Sequence, residues 1–517
     1  MLYNKLRELN LEWVTEDYEY SNPSPVGITD AEVMLVKHLQ ANDKIAIFPD
    51  SDIDGFFSAL IIHNLLNFVG CTNLEIIKVD HKTHGLTTEI CQQVRDMGAK
   101  LLITVDSSTN SEQRVGYLAS FDIDHIIIDH HIISADLSEY PKSVKVINCK
   151  QKGNEFFSKV SAGMMCYIFA EDFLNKINIS EDMQDAKIAF LNTLFVLGYI
   201  TLYTDSMDLA DEFNLSVIRR ASYMYQYLPP FIRCFMGPYD GLNRNFIEYR
   251  LGPKLNAAIR LEQFDLIYRL LFNKLSPDDM TKTITHINEI YEKSRAFVNL
   301  AVNQRKPDVH EGFVSLNLDD LGIQSDISPY MKNFTGLVAN QLTSVYDSLA
   351  FVYCTDDMNN FKGSVRDPYS RQALTHFQSF CDCGGHMSAF GLHIPKVTFN
   401  NFLSQTKVCM KAIPETAETA RIIVPEDDVD EGIHSQLRLF ARYNEVSGNT
   451  IPKAVIRVKL GHMSKVKKFK SYYRFEWRGV KVTSFNPVNI GTVVEITPTI
   501  SRSGVQCIGT PVYKNIM

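Results

Sequence analysis

KIAIFPD (residues 44–50), LEIIKVD (74–80), KLLITVD (100–106) and HIIIDHH (125–131) decide how this chain is read: short apolar runs that meet an aspartate at Asp50, Asp80, Asp106 and Asp129. Runs this short and rich in Ile, Leu and Val, bounded by polar residues, are expected of strands buried on both faces. Between them, residues 55–69, 87–99 and 111–121 have the spacing of helices. Strand alternating with helix predicts βαβ units and a parallel sheet. Ligands of such sheets bind beyond the carboxyl ends of the strands. The aspartates stand at those ends, so the pattern collects carboxylates at one rim.

Working outward, the chain has 517 residues, 45% hydrophobic and 22% charged, which favours more than one packed domain. Residues 1–30 read as an N-terminal extension and 31–230 as the parallel-sheet α/β domain. Residues 231–310 read as a helical connection containing a long helix from Pro277, with Ser276 as its N-cap. A second α/β domain is expected over 311–408, an acidic exposed connection over 409–450, and a small β-barrel over 451–517, where apolar and polar residues alternate. Ten dispersed cysteines without a CxxC pair point to a reducing compartment, the cytoplasm of a bacterium or of a host cell. The start of the chain is charged and lacks the apolar core of a signal peptide. Residues 188–204 carry no charge but include Asn192, Thr193, Thr201 and Thr204, and read as a buried helix running into a buried strand rather than a membrane span.

The chemistry concentrates in a few motifs. Asp50, Asp52 and Asp54 alternate after a strand and before a helix, with Gly55 placed for a sharp turn. Carboxylates are hard ligands suited to Mn²⁺ or Mg²⁺. A calcium loop is excluded, because its twelfth position would be Ile61 rather than Glu. In Asp129-His130-His131, one imidazole is suited to a metal while Asp129 holds its other ring nitrogen. The second imidazole is placed for a bridging water or a phosphate. Asp106 stands between these motifs as a bridging candidate, and Asp205 closes a later apolar run, with Asp208 as its competitor. Several carboxylates and two histidines on one rim fit a two-metal site that activates water. Cys381, Cys383 and His386 lack a fourth ligand for zinc. His63 reads as a packed helix residue, and Lys82 to Leu86 as a substrate-facing loop.

The order Asp52-x-Asp54-Gly55, Asp106, Asp129-His130-His131, Asp205 resembles the DHH phosphoesterases. Gly384-Gly385-His386 resembles the GGH motif of their substrate-binding domain, DHHA1, and Gly363-Ser364-Val365-Arg366 its GSxR segment. The resemblance implies a parallel-sheet DHH domain and a DHHA1 domain joined by a long helix, and two Mn²⁺ or Mg²⁺ ions. It makes Asp52 a ligand of the first metal, Asp54, His130 and Asp205 ligands of the second, and Asp106 the bridge. It places His131 at the water or phosphate and makes Asp106, Asp129 and His131 the catalytic group. Many relatives carry a histidine where Phe48 stands, which leaves Asp50 or His131 to complete the first metal.

Within this family, RLGPKLNAAIR (250–260) resembles the LGPRINAAGR segment of the RecJ exonucleases, with Lys254 for Arg and Ile259 for Gly. Gln341 stands where those relatives often have Arg. The implied substrate contacts are Lys254, Asn256, Arg260, Ser364, Arg366, Gly384, Gly385 and His386. The net charge of −8 does not advertise nucleic acid, yet a local basic stripe suffices. Lys467, Lys468, Lys470 and Arg474, interleaved with aromatics that include Trp477, form such a stripe, as in OB-folds that hold single strands. The resemblance thus implies a 5′-to-3′ exonuclease on single-stranded DNA, partnered by single-strand-binding, recombination or replication proteins and not by a membrane. The alternatives are a phosphodiesterase on short RNA or dinucleotides, and a catalytically weak DHH scaffold that only binds nucleic acid.

Overall fold

The apolar runs become strands β1 (Ile45–Pro49), β2 (Leu74–Ile76), β3 (Leu101–Val105) and β4 (Asp124–Asp129), joined by β5 (Val144–Asn148) in a parallel sheet of order β2-β1-β3-β4-β5. Every residue of β1 and β3 is buried, which is why these strands are apolar without alternation. The chain order reverses between β1 and β3, the crevice where open α/β sheets bind ligands. Asp50 and Asp106 follow those two strands. The structure, a computed structural model, describes residues 6–511 apart from 8–10, 16–18, 21–23, 239, 311, 323–325, 347, 357, 368–372, 387–388, 413–421, 430–432, 448–452, 462–463, 470–471, 485–486 and 502–503. It divides into two units, Met1–Asn256 with Phe264–Ile284 and Arg421–Met517, and Ala257–Gln263 with Thr285–Ala420.

In the first unit the sheet is flanked by α1 (Ile28–Ala41), α2 (Ile53–Phe68), α3 (Thr88–Asp96), α4 (Glu112–Ala119), α5 (Ala162–Lys176) and α6 (Gln184–Thr204). Two sequence expectations change here. β2 ends at Ile76, so Asp80 lies off the rim, exposed and paired with His81 at 2.7 Å. Residues 188–204 do not pass into a strand. α6 runs unbroken to Thr204, and its buried threonine is satisfied inside the helix: Thr201 Oγ1 donates to the Gly198 carbonyl at 2.7 Å. Asp205 is therefore a helix C-cap, not a strand end. The helix spanning Glu181–Thr204 is long and apolar enough to cross a membrane, and 67% of its most apolar window is buried inside the protein.

Beyond α7 (Glu212–Ala221), a π-helical turn at Ile247–Leu251 leads into α8 (Gly252–Arg260), followed by α9 (Phe264–Phe272) and α10 (Pro277–Gln304). Ser276 caps α10 as expected, its Oγ accepting the Asp279 amide at 3.1 Å. The second unit is built on a six-stranded sheet of β6 (Asp308–His310), β7 (Phe313–Asn317), β8 (Leu349–Thr355), β9 (Phe361–Arg366), β10 (Asp382–His386) and β11 (Ala389–Ile394), in the order β10-β11-β9-β8-β7-β6. One apolar cluster gathers Phe351, Phe377, Phe390 and Phe402, and another gathers Val338, Leu342 and Val352. α11 (Thr335–Tyr346) and α12 (Phe399–Ala412) complete this α/β unit.

The C-terminal strands belong to the first unit. β12 (Ile422–Pro425) lies inside the stretch expected as an exposed connection, and α13 (Ile433–Asn444) follows it. With β13 (Ala454–Lys459), β14 (Lys467–Lys468), β15 (Tyr473–Trp477), β16 (Val480–Ser484), β17 (Val493–Ser501) and β18 (Gly504–Pro511) it forms a seven-stranded sheet of order β12-β13-β17-β18-β16-β15-β14. Arg244 fastens this module to the helices before α8: its guanidinium donates to the Asn444 and Ser447 carbonyls, and its amide to Glu445 at 3.1 Å.

Candidate metal centre

Backbone amides hold three of the acidic side chains of the rim, Asp50, Asp52 and Asp54. Asp50 is buried and accepts the Gly85 amide at 2.9 Å, while His84 Nδ1 lies 2.9 Å from its other oxygen. Asp52 caps α2 by accepting the Gly55 amide at 3.0 Å. Gly55 is required by close approach rather than by a left-handed turn: a Cβ there would lie 2.5 Å from the Asp50 carbonyl oxygen. Asp54 accepts the Ala162 and Gly163 amides at 2.9 and 2.8 Å, the open N-terminus of α5, where backbone N–H groups and the helix dipole favour an anion. A side chain at Gly163 would collide with Thr201 at 2.5 Å, so only glycine lets α5 reach Asp54. Asp106 follows β3 in the left-handed region, φ 61°, a conformation Asp tolerates better than most residues.

Asp129 organises the two histidines without joining the cluster. Its Oδ1 accepts the His130 and His131 amides at 2.7 and 3.2 Å and lies 2.8 Å from His131 Nδ1, while its Oδ2 accepts the Thr109 amide at 3.1 Å. Asp129 thus fixes the tautomer of His131, the exposed ring. His130 turns inward, its Nε2 3.2 Å from Asp106 and 3.3 Å from Asp205. Three overlapping groups result, Asp50 with Asp52 and Asp106, Asp106 with His130 and His131, and Asp54 with His130 and Asp205, each with ligand atoms within 4.8 Å of one another.

The electrostatics show a site short of positive charge. Burial, then repulsion from Asp54, Asp52, Asp50 and Asp205, holds Asp106 well above the usual carboxylate range. Burial and neighbouring aspartates do the same to Asp205, and raise Asp54 to about 7. Burial lowers His130 to about 4, so it is neutral and able to ligate. The Asp129 hydrogen bond raises His131 to about 9. Asp205 Oδ2 is buried without a hydrogen bond. Among the described residues, the basic side chains within 4 Å of these carboxylates are the imidazoles of His84 and His130. Crowded carboxylates and a neutral imidazole match divalent ions of the Mn²⁺ or Mg²⁺ type.

All seven expected ligands, Asp50, Asp52, Asp54, Asp106, His130, His131 and Asp205, meet at this rim. Phe48 is fully buried in an apolar cluster with residues such as Ile77, Leu86 and Ile90. Asp208 serves the following turn, accepting the Ala210 amide at 3.2 Å. His63 packs edge-on against Phe272, as a helix residue should. Sequence reading missed the contribution of His84, whose signal was a histidine beside Gly85 at φ 70°. It also missed the α5 N-terminus, signalled by Ser161 before a glycine.

In α8, Asn256 and Arg260 are one turn apart on the same face, and Lys254 Nζ stands 5.6 Å from the centre of the Phe235 ring. In the second unit Arg260 is pushed down to about 10, first by burial and then by the guanidinium of Arg366, so two like charges face one another there. Ser364 Oγ lies 2.8 Å from Thr335 Oγ1. Gly384 and Gly385 lie within β10 and His386 ends it, its backbone pairing with Ala389. On the C-terminal sheet Lys467, Lys468 and Arg474 are exposed, and Lys470 lies outside the described residues. Trp477 is corrected from base-stacking candidate to core residue: alternation along β15 turns Phe475 and Trp477 inward, leaving Trp477 5% exposed. The aromatic platform is instead Phe469 stacked on Tyr472, centroids 4.6 Å apart, with Arg474 over both rings at 5.6 and 5.4 Å.

Residues 44–193 match the DHH family, N-terminal domain. The crystal structure of RecJ in complex with Mn²⁺ from Thermus thermophilus superposes with a TM-score of 0.71 at 15% identity, covering 99% of this chain and 75% of that one. Residues 44–193 are a DHH domain. The Mg²⁺ complex of the same Thermus protein gives a TM-score of 0.64 at 14% identity, covering 98% of this chain and 73% of that one. At these identities the likeness establishes the fold. The single-stranded-DNA-specific exonuclease RecJ of Bacillus subtilis is 23% identical over 429 residues, 80% of this chain and 51% of the Bacillus protein, so the chain spans about half that relative's length.

Proposed function

We propose that this DHH protein is a metal-dependent exonuclease that degrades single-stranded DNA from the 5′ end and releases nucleoside 5′-monophosphates. The observation that carries the reading is the crowding of Asp50, Asp52, Asp54, Asp106 and Asp205 around a neutral His130 at the sheet's switch point. Asp50, Asp52 and Asp106 would hold one ion and Asp54, His130 and Asp205 the other, with Asp106 placed to serve both. Bound divalent ions would lower the pKa of a water and offset the charge of the attacked phosphate.

The rest falls to the chain's own side chains. His131, held at Nδ1 by Asp129 and protonated near neutrality, offers its other ring nitrogen to a phosphate oxygen or leaving group. The like-charged pair Arg260 and Arg366 suits phosphate oxygens. Lys467, Lys468 and Arg474, with the Phe469–Tyr472 stack, suit a longer strand by pairing cations with a platform for bases, an OB-like use of the C-terminal sheet. The name of the Bacillus relative supports DNA as the substrate. The test is digestion of DNA and RNA single strands and duplex, labelled at either end, in Mn²⁺ or Mg²⁺. Release of mononucleotides from the 5′ end of single-stranded DNA is expected. Preference for RNA of a few nucleotides would replace this reading with the short-substrate one.

A further inference from the structure

His131, the exposed ring of the rim, is held at more points than Asp129 supplies. Its carbonyl accepts Asn148 Nδ2 at 3.0 Å. Asn148 is the last residue of β5 and pairs in register with Asp129, which sets it beside the turn that carries both histidines. It is fully buried and its side-chain amide is fully used: Nδ2 also donates to Thr109 Oγ1 at 3.0 Å, and Oδ1 accepts the Lys150 amide at 2.8 Å. Thr109 in turn gives its amide to Asp129, which closes a ring of hydrogen bonds through Asn148, Thr109, Asp129 and His131. From the solvent side, the exposed Asn110 clasps the segment that follows. Its Nδ2 donates to the Ile132 carbonyl at 2.8 Å, and its Oδ1 accepts the Ser134 and Ala135 amides at 2.8 and 3.1 Å. The amide, carbonyl and Nδ1 of His131 are all tied, and so is the next residue, which leaves Nε2 one place to stand. Bracing of this kind adds little to the core, because the ring it fixes is exposed. It matters for a group that must meet a reacting phosphate, where a misplacement of about 1 Å costs about 100-fold in rate.

We propose that Asn148 and Asn110 are positioning residues for hydrolysis: between them they fix the backbone of His131 so that its Nε2 meets the attacked phosphate. The inference rests on the role given to His131 in the exonuclease reading.

The test is steady-state kinetics of the full chain at saturating Mn²⁺, beside Mn²⁺ titrations and thermal melts. The substrates are single-stranded DNA and bis(p-nitrophenyl) phosphate, a diester that reports hydrolysis without strand recognition. Asn148→Ala and Asn110→Ala should each lower kcat about 10–100-fold, the usual cost of losing a side chain that orients an active group. KM for DNA and Mn²⁺ affinity should stay within about twofold of wild type, because the loss falls on the transition state. Asn110→Asp, which keeps the acceptor for Ser134 and Ala135, should recover most of the rate. Asp136→Ala is the control: it removes two hydrogen bonds to Ser138 from the same loop and should leave kcat unchanged. Asn148 is buried, so if Asn148→Ala does not fold, Asn110→Ala and its rescue decide. A folded Asn110→Ala chain with wild-type kcat, or a fall in Mn²⁺ affinity that accounts for the lost rate, would overturn the proposal. A wild-type chain that cleaves the ester but not DNA would overturn the exonuclease reading alone, and the variants would then be judged on the ester.

Discussion

Gly55→Ala should disable the metal centre without touching a ligand. The added methyl would lie 2.5 Å from the Asp50 carbonyl oxygen and 2.8 Å from its carbonyl carbon and nitrogen. Ordinary contact begins at 3.4 Å, so the strand end and the helix start must part by about 0.9 Å. The obstruction is backbone, which cannot rotate aside, and the Asp50 amide is tied to the Val105 carbonyl at 3.3 Å. Asp50 and Asp54 stand on opposite sides of the forced gap, and Asp54 is pinned to α5. A displacement near 1 Å costs about 100-fold in rate, and overpacking of this kind costs about 1–3 kcal/mol of stability. The assay pairs initial rates of strand hydrolysis in Mn²⁺ with thermal melts. Gly116→Ala is the control: it lies in α4 with nothing within 4 Å of the added methyl. It should keep the rate and gain up to about 1 kcal/mol. A Gly55→Ala enzyme as fast as wild type would refute the close-approach argument.

His84→Ala should lower Mn²⁺ affinity about 10–100-fold, the usual cost of losing a side chain that orients a ligand; a titration followed by Mn²⁺ resonance reads this directly, and unchanged affinity would remove His84 from the site. In chelator, the melting temperature should fall as pH rises from about 6.5 to 9.5. His131, raised to about 9, stabilises the fold while protonated and loses that contribution as pH rises through this window, whereas Asp54, raised to about 7, loses most of its own at lower pH and His130, lowered to about 4, is already neutral there. Mn²⁺ should abolish most of the fall, and a flat profile in chelator would contradict the assigned charges. Replacing Lys467, Lys468 and Arg474 together should flatten the salt dependence of long-strand binding by about 0.7 in log–log slope for each phosphate that is no longer neutralised. An unchanged slope would mean that the strand does not follow the C-terminal sheet.

The carboxylate rim was legible because buried parallel strands announce themselves by unbroken Ile, Leu and Val, and the residue after such a strand is necessarily at the rim. That logic located Asp50, Asp106 and Asp129. It misplaced Asp80, because Ile77 and Val79, either side of Lys78, continue a strand's pattern although β2 ends at Ile76. It missed β5, whose Lys145 breaks the run at the sheet edge. It also took the end of the uncharged segment before Asp205 for a strand following a helix, since a helix buried on all sides has no periodicity to read. The contacts that hold the acids were illegible for a different reason. His84 on Asp50 and Ala162 with Gly163 on Asp54 depend on which loops the fold brings together, not on spacing along the chain. Trp477 was misread because composition reports aromatics and cations but not the face a strand turns inward.

The most direct test of the central claim is Asp106→Asn, which keeps the size of the side chain and its tolerance of φ 61° while removing the charge shared by two of the three ligand groups. Release of mononucleotides from 5′-labelled single-stranded DNA in Mn²⁺ would be measured beside strand binding by fluorescence anisotropy. The account predicts that hydrolysis is lost while binding persists, and that the wild-type chain is inactive in excess chelator. Hydrolysis by Asp106→Asn at the wild-type rate, or full wild-type activity in chelator, would contradict it.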